Sequence, residues 1–162
     1  LYAERTEGLA GAIINGAALD VPDDINPITI RIGRLLARIA PRLGVQKFYD
    51  PESLTHDRTR VAAVKADPLF YKGWMRARTG NEMLKSIQTA VAELNQLTLP
   101  FFATHGSQDR TVPPRTTDIL LGGAASEDKQ AHFFEGMLHE VHNEPGRDEV
   151  FATWWRWLEP RL

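Results

Sequence analysis

Two short segments of the chain carry side chains that could transfer a proton. The first is the segment His105-Gly106-Ser107-Gln108-Asp109-Arg110-Thr111-Val112-Pro113, which contributes Asp109, and the second spans residues 136–145 and contributes His139. A carboxylate that accepts a hydrogen bond from one ring nitrogen of a histidine fixes its tautomer and stabilises the imidazolium that forms when the other nitrogen takes a proton. The chemistry that this pair predicts is general acid–base catalysis.

The elements around these segments have the pattern of a parallel sheet. Residues 99–104 and 129–134 are short apolar runs typical of strands, and helices are predicted at residues 114–121 and 147–158. Functional loops of open α/β sheets gather at the carboxyl ends of the strands. We therefore expect Asp109 and His139 to meet at one edge of such a sheet.

The beginning of the chain shows the same alternation of helices and strands. Residues 1–7 are predicted to be the last turns of a helix that Gly8 closes, and residues 10–15 form an apolar run that ends at Gly16. A helix that leads into a buried strand is typical of a parallel sheet, so we place residues 10–15 at its centre. The chain starts without a Met and in the middle of this pattern, and we expect it to be the C-terminal part of something longer.

A largely helical insertion interrupts the core. Residues 28–39 and 81–94 have the spacing of amphipathic helices, the second with Asn81 as a suitable N-cap, whereas residues 48–67 are polar and broken. The predicted organisation is a core helix end and strand (1–21), a helical cap (22–80) and a C-terminal α/β core (81–162). Insertions of this kind often cover a site.

The helix at residues 28–39 permits two interpretations. It combines an apolar stripe with basic residues on the stripe's flank. Either the stripe packs on the domain and the arginines are solvated, or the surface contacts anionic lipid as a peripheral membrane site. The residues are Ile28, Ile32, Leu35, Leu36 and Ile39 for the stripe and Arg31, Arg34 and Arg38 for the flank.

Composition excludes several classes of function. The 162 residues are 43% hydrophobic and 25% charged, with a formal net charge of −2, so we expect no nucleic-acid partner. The sequence has no cysteine, which removes thiol nucleophiles and Cys-ligated zinc and suits a reducing compartment. We expect a cytoplasmic location, with membrane association through residues 28–39 left open. No cofactor is expected.

Three segments together give the chain a resemblance to the monoacylglycerol lipase and lysophospholipase-like branch of the α/β-hydrolases. They are residues 99–113, residues 126–129 and residues 136–145. The resemblance implies the C-terminal portion of an α/β-hydrolase fold with a helical cap. It also implies a serine hydrolase of lipid esters such as monoacylglycerols, with Asp109 as the triad acid and His139 as the triad base.

The family's nucleophile is absent from the sequence. No Gly-x-Ser-x-Gly elbow occurs, and the serines present are Ser53, Ser86, Ser107 and Ser126. The resemblance places the elbow roughly eight residues upstream of Leu1, and the oxyanion donors with it. We therefore expect a missing N-terminal segment or chain to supply the serine. The first alternative is a non-catalytic half-protein that serves in binding or assembly. The second, among enzymes, is a lysophospholipase or general carboxylesterase, and the bond cleaved could also be a thioester or an amide.

Simpler roles exist for the same residues. Asp109 could stabilise only a turn, and His139 could be an ordinary loop histidine. Glu140 and His142 beside it do not have the spacing of a helical zinc site, so no metal is expected. Asn143 and Glu144 are interpreted as a helix N-cap and a first-turn acid.

Overall fold

The described part of the chain contains a three-stranded parallel sheet. The computed structural model describes residues 8–23, 25–47 and 50–162. The strands are β1 (Ala12–Asn15), β2 (Gly44–Lys47), β3 (Trp74–Arg76), β4 (Phe101–Gly106) and β5 (Lys129–Phe134). Strand β4 lies between β1 and β5 and runs parallel to both, which confirms the predicted parallel sheet. A separate antiparallel pair, β2 and β3, lies in the predicted insertion.

The helices flank the sheet and fill the insertion. Strand β5 and the last helix have the predicted bounds, whereas the helix predicted at 114–121 lies two residues further along the chain. The predicted helix end at residues 1–7 is outside the described residues. The helices are α1 (Pro27–Ile39), α2 (Arg58–Ala66), α3 (Ala77–Ala92), α4 (Thr116–Gly123) and α5 (Arg147–Leu158).

The predicted central position of the first strand is not found among the described residues. Among the described residues β1 lies at an edge of the sheet and is half-buried, while β4 is the buried central strand. The prediction relied on the apolar run alone. That run shows that a strand is covered but not which neighbours flank it, and here β4 has a partner on both sides.

Two predictions in and next to the insertion are also wrong. The segment expected to be broken contains α2, whose N-terminus is capped by Asp57 through bonds from Thr59 N and Arg60 N at 2.8 and 3.2 Å. Asn81 is not an N-cap, because α3 begins at Ala77 directly after β3. Helix α3 therefore crosses the boundary placed at residue 80, and it contacts both α1 in the insertion and α4 in the core.

Helix α1 presents its apolar stripe to solvent, so the interpretation in which that stripe packs on the domain is wrong. The helix starts at an N-cap formed by Asn26 and packs against α3, and its buried residue is Ala37. Helical spacing puts Ala37 on the opposite side from the stripe. Ala37 thus lies on the packing face. The four exposed stripe residues are Ile28 (62%), Ile32 (53%), Leu35 (57%) and Ile39 (69%).

Candidate active site

The structure brings Asp109 and His139 together at the carboxyl edge of the sheet. Asp109 lies in the loop after β4, and His139 lies in the loop after β5. The Nδ1 atom of His139 is 2.7 Å from Oδ2 of Asp109. The aspartate side chain is fully buried and the histidine side chain is 21% exposed. The pair therefore has one buried, oriented member and one member that is open to a reacting group.

Every acceptor position of the Asp109 carboxylate is occupied. Its Oδ1 accepts the N–H groups of Thr111 and Val112 at 2.8 and 2.9 Å, and its Oδ2 faces both His139 and His105. The predicted turn-stabilising role and contact with the histidine thus coexist, one on each oxygen. A carboxylate held by four donors cannot rotate away from His139 without losing hydrogen bonds.

Asp109 is held in its ionised form. Burial by itself would raise the pKa of this carboxyl group, but hydrogen bonds from His105, His139 and the Val112 N–H outweigh burial and hold the pKa well below its usual range. An ionised carboxylate requires a hydrogen on the Nδ1 atom of His139. In the neutral ring, Nε2 then has a free lone pair and can accept a proton.

His105 is a site residue that the sequence analysis did not identify. It is the fifth residue of β4, its side chain is fully buried, and its Nε2 atom is 3.0 Å from Oδ2 of Asp109. The available signal was a histidine at the end of a buried strand, four residues before the acid. That signal alone does not show which way the ring points.

The end of β1 supports the backbone at His139. The side-chain amide of Asn15 donates to the carbonyl oxygen of His139 at 3.2 Å, and Asn15 in turn accepts from the hydroxyl of Thr104 at 3.1 Å. Gly16 follows with φ +57°, and its backbone passes directly beside the His139 ring. Three neighbouring strands therefore each contribute to the site at their carboxyl ends.

Known proteins share this arrangement of sequence and fold. A profile of the family described as Serine aminopeptidase, S33 matches residues 1–146 of the chain. The chain belongs to this family of α/β-hydrolases. The resemblance inferred from the three segments is thereby confirmed.

The chain is similar to curated lipases over most of its length. It is 29% identical over 162 residues to a monoacylglycerol lipase of Mycolicibacterium smegmatis, covering 99% of the chain and 58% of that protein. It is 27% identical over 143 residues to human monoglyceride lipase, covering 88% of the chain and 47% of that protein. The chain thus spans about half the length of these relatives.

Solved structures show the same fold. The monoacylglycerol lipase of Paleococcus ferrophilus matches with a TM-score of 0.84 at 22% identity, over 99% of this chain and 62% of that one. A soluble variant of the Saccharomyces cerevisiae monoglyceride lipase, in complex with a substrate analog, matches with a TM-score of 0.77 at 21% identity, over 94% and 56% of the two chains. The expected C-terminal portion of an α/β-hydrolase fold is confirmed.

The four serines of the chain have hydrogen-bond partners other than His139. Ser107 lies in the loop of the acid, and its hydroxyl accepts the N–H of Gly136 at 2.9 Å, so it ties the Asp109 loop to the His139 loop. The other hydroxyls bond to Asp50 and Thr111, to Glu82 and to Asp128; they belong to Ser53, Ser86 and Ser126. Within the described ranges no serine hydroxyl bonds to His139.

Glu144 has a different role from the predicted first-turn acid. Helix α5 begins after Gly146, and Asn143 ends a short 3₁₀ turn instead of capping the helix. Glu144 is 2% exposed, and its carboxylate accepts the N–H of Leu138 at 2.8 Å and that of His56 at 3.1 Å. A buried acid thus joins the His139 loop to the insertion.

The insertion docks on both loops of the site. The Leu54 carbonyl accepts the N–H of Glu140 at 2.8 Å, and the Thr55 hydroxyl donates to the Asn143 carbonyl at 2.9 Å. On the other loop, Ser53 and Thr111 pair through their hydroxyls at 3.1 Å. The segment around Leu54 therefore lies against the candidate acid and base together.

Glu140 and His142 are engaged in local contacts. Glu140 accepts the side-chain amide of Asn143 at 2.7 Å, and the His142 ring lies 6.2 Å from that of Trp154. Over residues 8–23, 25–47 and 50–162, no group of three or more His, Asp or Glu side chains is arranged to hold a metal ion.

Proposed function

We propose that this chain is the C-terminal part of a serine ester hydrolase in which Asp109 orients His139 and His139 acts as the general base. The observation that supports the proposal is the 2.7 Å contact of His139 Nδ1 with a buried carboxylate whose acceptor positions are all filled. That contact leaves Nε2 as the proton-accepting atom of the neutral ring.

The proposed reaction has two stages. In the first, His139 Nε2 takes the hydroxyl proton of a serine while the serine oxygen bonds to the ester carbonyl carbon, and the proton then passes to the leaving alcohol. In the second, His139 takes a proton from water as the water oxygen bonds to the acyl carbon of the acyl-serine. The bond from that carbon to the serine oxygen then breaks, the proton passes from His139 to the serine oxygen, and the carboxylic acid is released. Asp109 remains a carboxylate throughout and stabilises each imidazolium.

The serine in this proposal comes from outside the 162 residues. The serines within the chain have other partners, and relatives of the S33 family are about twice as long as the matched region. We therefore propose an additional segment or chain that carries the nucleophile and the oxyanion donors. The chain together with that segment is called the complete hydrolase below.

The proposed substrate is a monoacylglycerol or a similar lipid ester. Support comes from the curated relatives, which are named monoacylglycerol and monoglyceride lipases. The family description instead names an aminopeptidase, so an amide is the competing bond. A comparison of kcat/KM on a monoacylglycerol and on an aminoacyl anilide separates the two, and preference for the anilide would refute the lipid assignment.

We also propose that residues 22–80 form a cap over the site. The docking of Leu54, Thr55 and His56 on the two loops supports this role. In this division, residues 1–21 and 81–162 belong to the core, and α3 links the core to the cap because it contacts both α1 and α4. Cap residues would then set the acyl length and head-group preference.

A peripheral membrane contact through α1 is the last part of the proposal. The exposed apolar stripe can enter the boundary between headgroups and acyl chains while cations on its flank contact anionic lipid. Arg34 and Arg38 also line a cleft of about 370 Å³ between α1 and α3. Its other cations, Arg78 and Lys85, are paired with Glu82. Among the described residues no helix is long and apolar enough to span a bilayer.

A fluorophosphonate probe tests the proposed chemistry on the complete hydrolase. We expect the probe to label a serine outside the 162 residues, and we expect His139→Gln to abolish labelling because the serine loses its base. His132→Gln, on strand β5, is the matched control and should label normally. Labelling that survives His139→Gln, or labelling of Ser53, Ser86, Ser107 or Ser126, would refute the proposal.

A further inference from the structure

Two imidazole rings converge on one carboxylate oxygen. The Oδ2 atom of Asp109 is 2.7 Å from Nδ1 of His139 and 3.0 Å from Nε2 of His105. The His105 side chain is fully buried, whereas the His139 ring is partly open. Only His139 can therefore reach a substrate, and any influence of His105 on the reaction must pass through Asp109.

The surroundings of His105 fix its ring and its hydrogen. Its Nε2 atom faces two acceptors, Asp109 Oδ2 and the Val112 carbonyl, each at 3.0 Å. A nitrogen between two acceptors must carry a hydrogen, so Nε2 donates in either protonation state of the ring. On the other side, Nδ1 lies 3.0 Å from the hydroxyl of Thr117 on α4. In the neutral ring this hydroxyl donates to Nδ1.

We infer that His105 is a positioning residue that fixes the Asp109 carboxylate and limits how strongly its Oδ2 attracts a positive charge on His139. The inference rests on the proposed function, because it assigns His105 a part in setting the basicity of His139. A donor on Oδ2 takes up part of the negative charge that would otherwise stabilise the His139 imidazolium.

Other charged groups surround the pair, and several of them have partners of their own. Beside Asp109, a cleft of about 400 Å³ is lined by Asp23, Arg110 and Arg115, and Arg115 is paired with Asp20 and Asp23. Around the His139 loop, the titratable groups contact one another or neighbouring side chains. These groups are His56, Glu140, His142 and Glu144.

The test compares one substitution that removes the N–H facing Asp109 Oδ2 with another that keeps an N–H there. His105→Phe keeps the ring volume but removes the hydrogen, whereas His105→Gln places an amide N–H near the position of Nε2. The pKa of His139 is read by NMR titration of its ring, which requires no turnover. We expect His105→Phe to raise this pKa by about 0.5–1 unit, the size of one lost hydrogen bond to the carboxylate. We expect His105→Gln to leave it near the wild-type value.

The same shift should appear in catalysis. In the complete hydrolase, the acidic limb of the plot of kcat against pH should move to higher pH in His105→Phe and stay in place in His105→Gln. In an Asp109→Asn background, His105→Phe should no longer shift the His139 titration, because the connecting carboxylate is gone. If His105→Phe does not fold, His105→Met, which is smaller and also lacks the N–H, takes its place, and the His139 pKa should again rise.

Each outcome decides one of the two proposals. An unchanged or lowered His139 pKa in the folded variants overturns the positioning role of His105, whatever the activity. If His105→Phe raises the His139 pKa but the complete hydrolase without substitutions cleaves no ester, the positioning role is supported and the proposed function is refuted.

Discussion

A Cβ atom placed on Gly16 would lie 2.9 Å from Cε1 of His139. No real Cβ contact with a fixed ring is that short, so only glycine lets β1 end against the histidine. The positive φ of Gly16, +57°, is a second reason for glycine at this position. The strand that carries neither Asp109 nor His139 in its following loop thus limits where the His139 ring can lie.

Gly16→Ala should impair turnover more than folding. We expect a loss of kcat on the order of 10²-fold in the complete hydrolase, because the ring of His139 is displaced from its position. The strain of alanine at positive φ should cost about 1–2 kcal/mol in the free energy of unfolding. Gly8→Ala is the control, since Gly8 has φ +79° and a Cβ there meets no atom within 4 Å. Equal kcat in the two variants would contradict the contact.

The sequence was sufficient to predict the site's framework. The positions of Asp109 and His139 after β4 and β5 followed from strand patterns, and the two side chains do meet. Strand β5 and helix α5 have the predicted bounds because their apolar residues and flanking breaks are local signals.

The supporting residues could not be predicted in the same way. The supporting contacts join residues that lie 4 to 123 positions apart, and local sequence patterns do not reveal which distant residues touch. The residues that make them are His105, Glu144 and Gly16. The short helix α2 was missed because its residues are exposed or half-buried and show no clear apolar face. The exposed stripe of α1 was ambiguous for a related reason, since periodicity shows a face but not what covers it.

The buried carboxylate of Glu144 should stabilise the junction between the His139 loop and the cap. In Glu144→Gln, an amide group replaces one of the oxygens that accept the Leu138 and His56 N–H groups. One buried donor is then left without an acceptor, at a cost of about 1–3 kcal/mol in the free energy of unfolding. Chemical denaturation measures the change, with Glu149→Gln on the exposed side of α5 as the control. Identical midpoints for the two variants would refute the junction.

Asp109 should make the stability depend on pH in a defined direction. Its pKa in the folded protein is lowered, so its contribution is present above the unfolded-state pKa, about 4, and is lost as the pH falls toward the folded-state pKa. With His139→Gln in both proteins, so that the imidazole beside Asp109 cannot take up a proton, the difference in unfolding free energy between the Asp109 and Asp109→Asn forms should shrink as the pH falls below about 5. A difference that grows as the pH falls would contradict the lowered pKa.

Substitutions in α1 separate charge from apolar contact at a membrane. Reversal of Arg31, Arg34 and Arg38 to Glu should weaken binding to vesicles with anionic lipid and leave binding to neutral vesicles unchanged. Ile32→Ser with Leu35→Ser should weaken both, because these exposed side chains would enter the lipid. Vesicle sedimentation measures the bound fraction.

The control for the arginine variant is the same number of reversals away from α1. Arg58, Arg60 and Arg156 are exposed residues on α2 and α5. Reversal of these three residues changes the net charge equally but leaves the stripe and its flank intact. If this control weakens anionic binding as much as the α1 variant does, total charge and not α1 is responsible.

The turnover of Asp109→Asn tests most directly whether the Asp109–His139 pair is the acid–base unit of the complete hydrolase. Asparagine keeps the shape of the side chain but favours the wrong tautomer of His139, so we expect kcat to fall on the order of 10⁴-fold. Asp118→Asn, an exposed acid in the first turn of α4, should turn over at the wild-type rate. A loss of less than about tenfold in folded Asp109→Asn would show that another group orients His139 and would contradict the assignment.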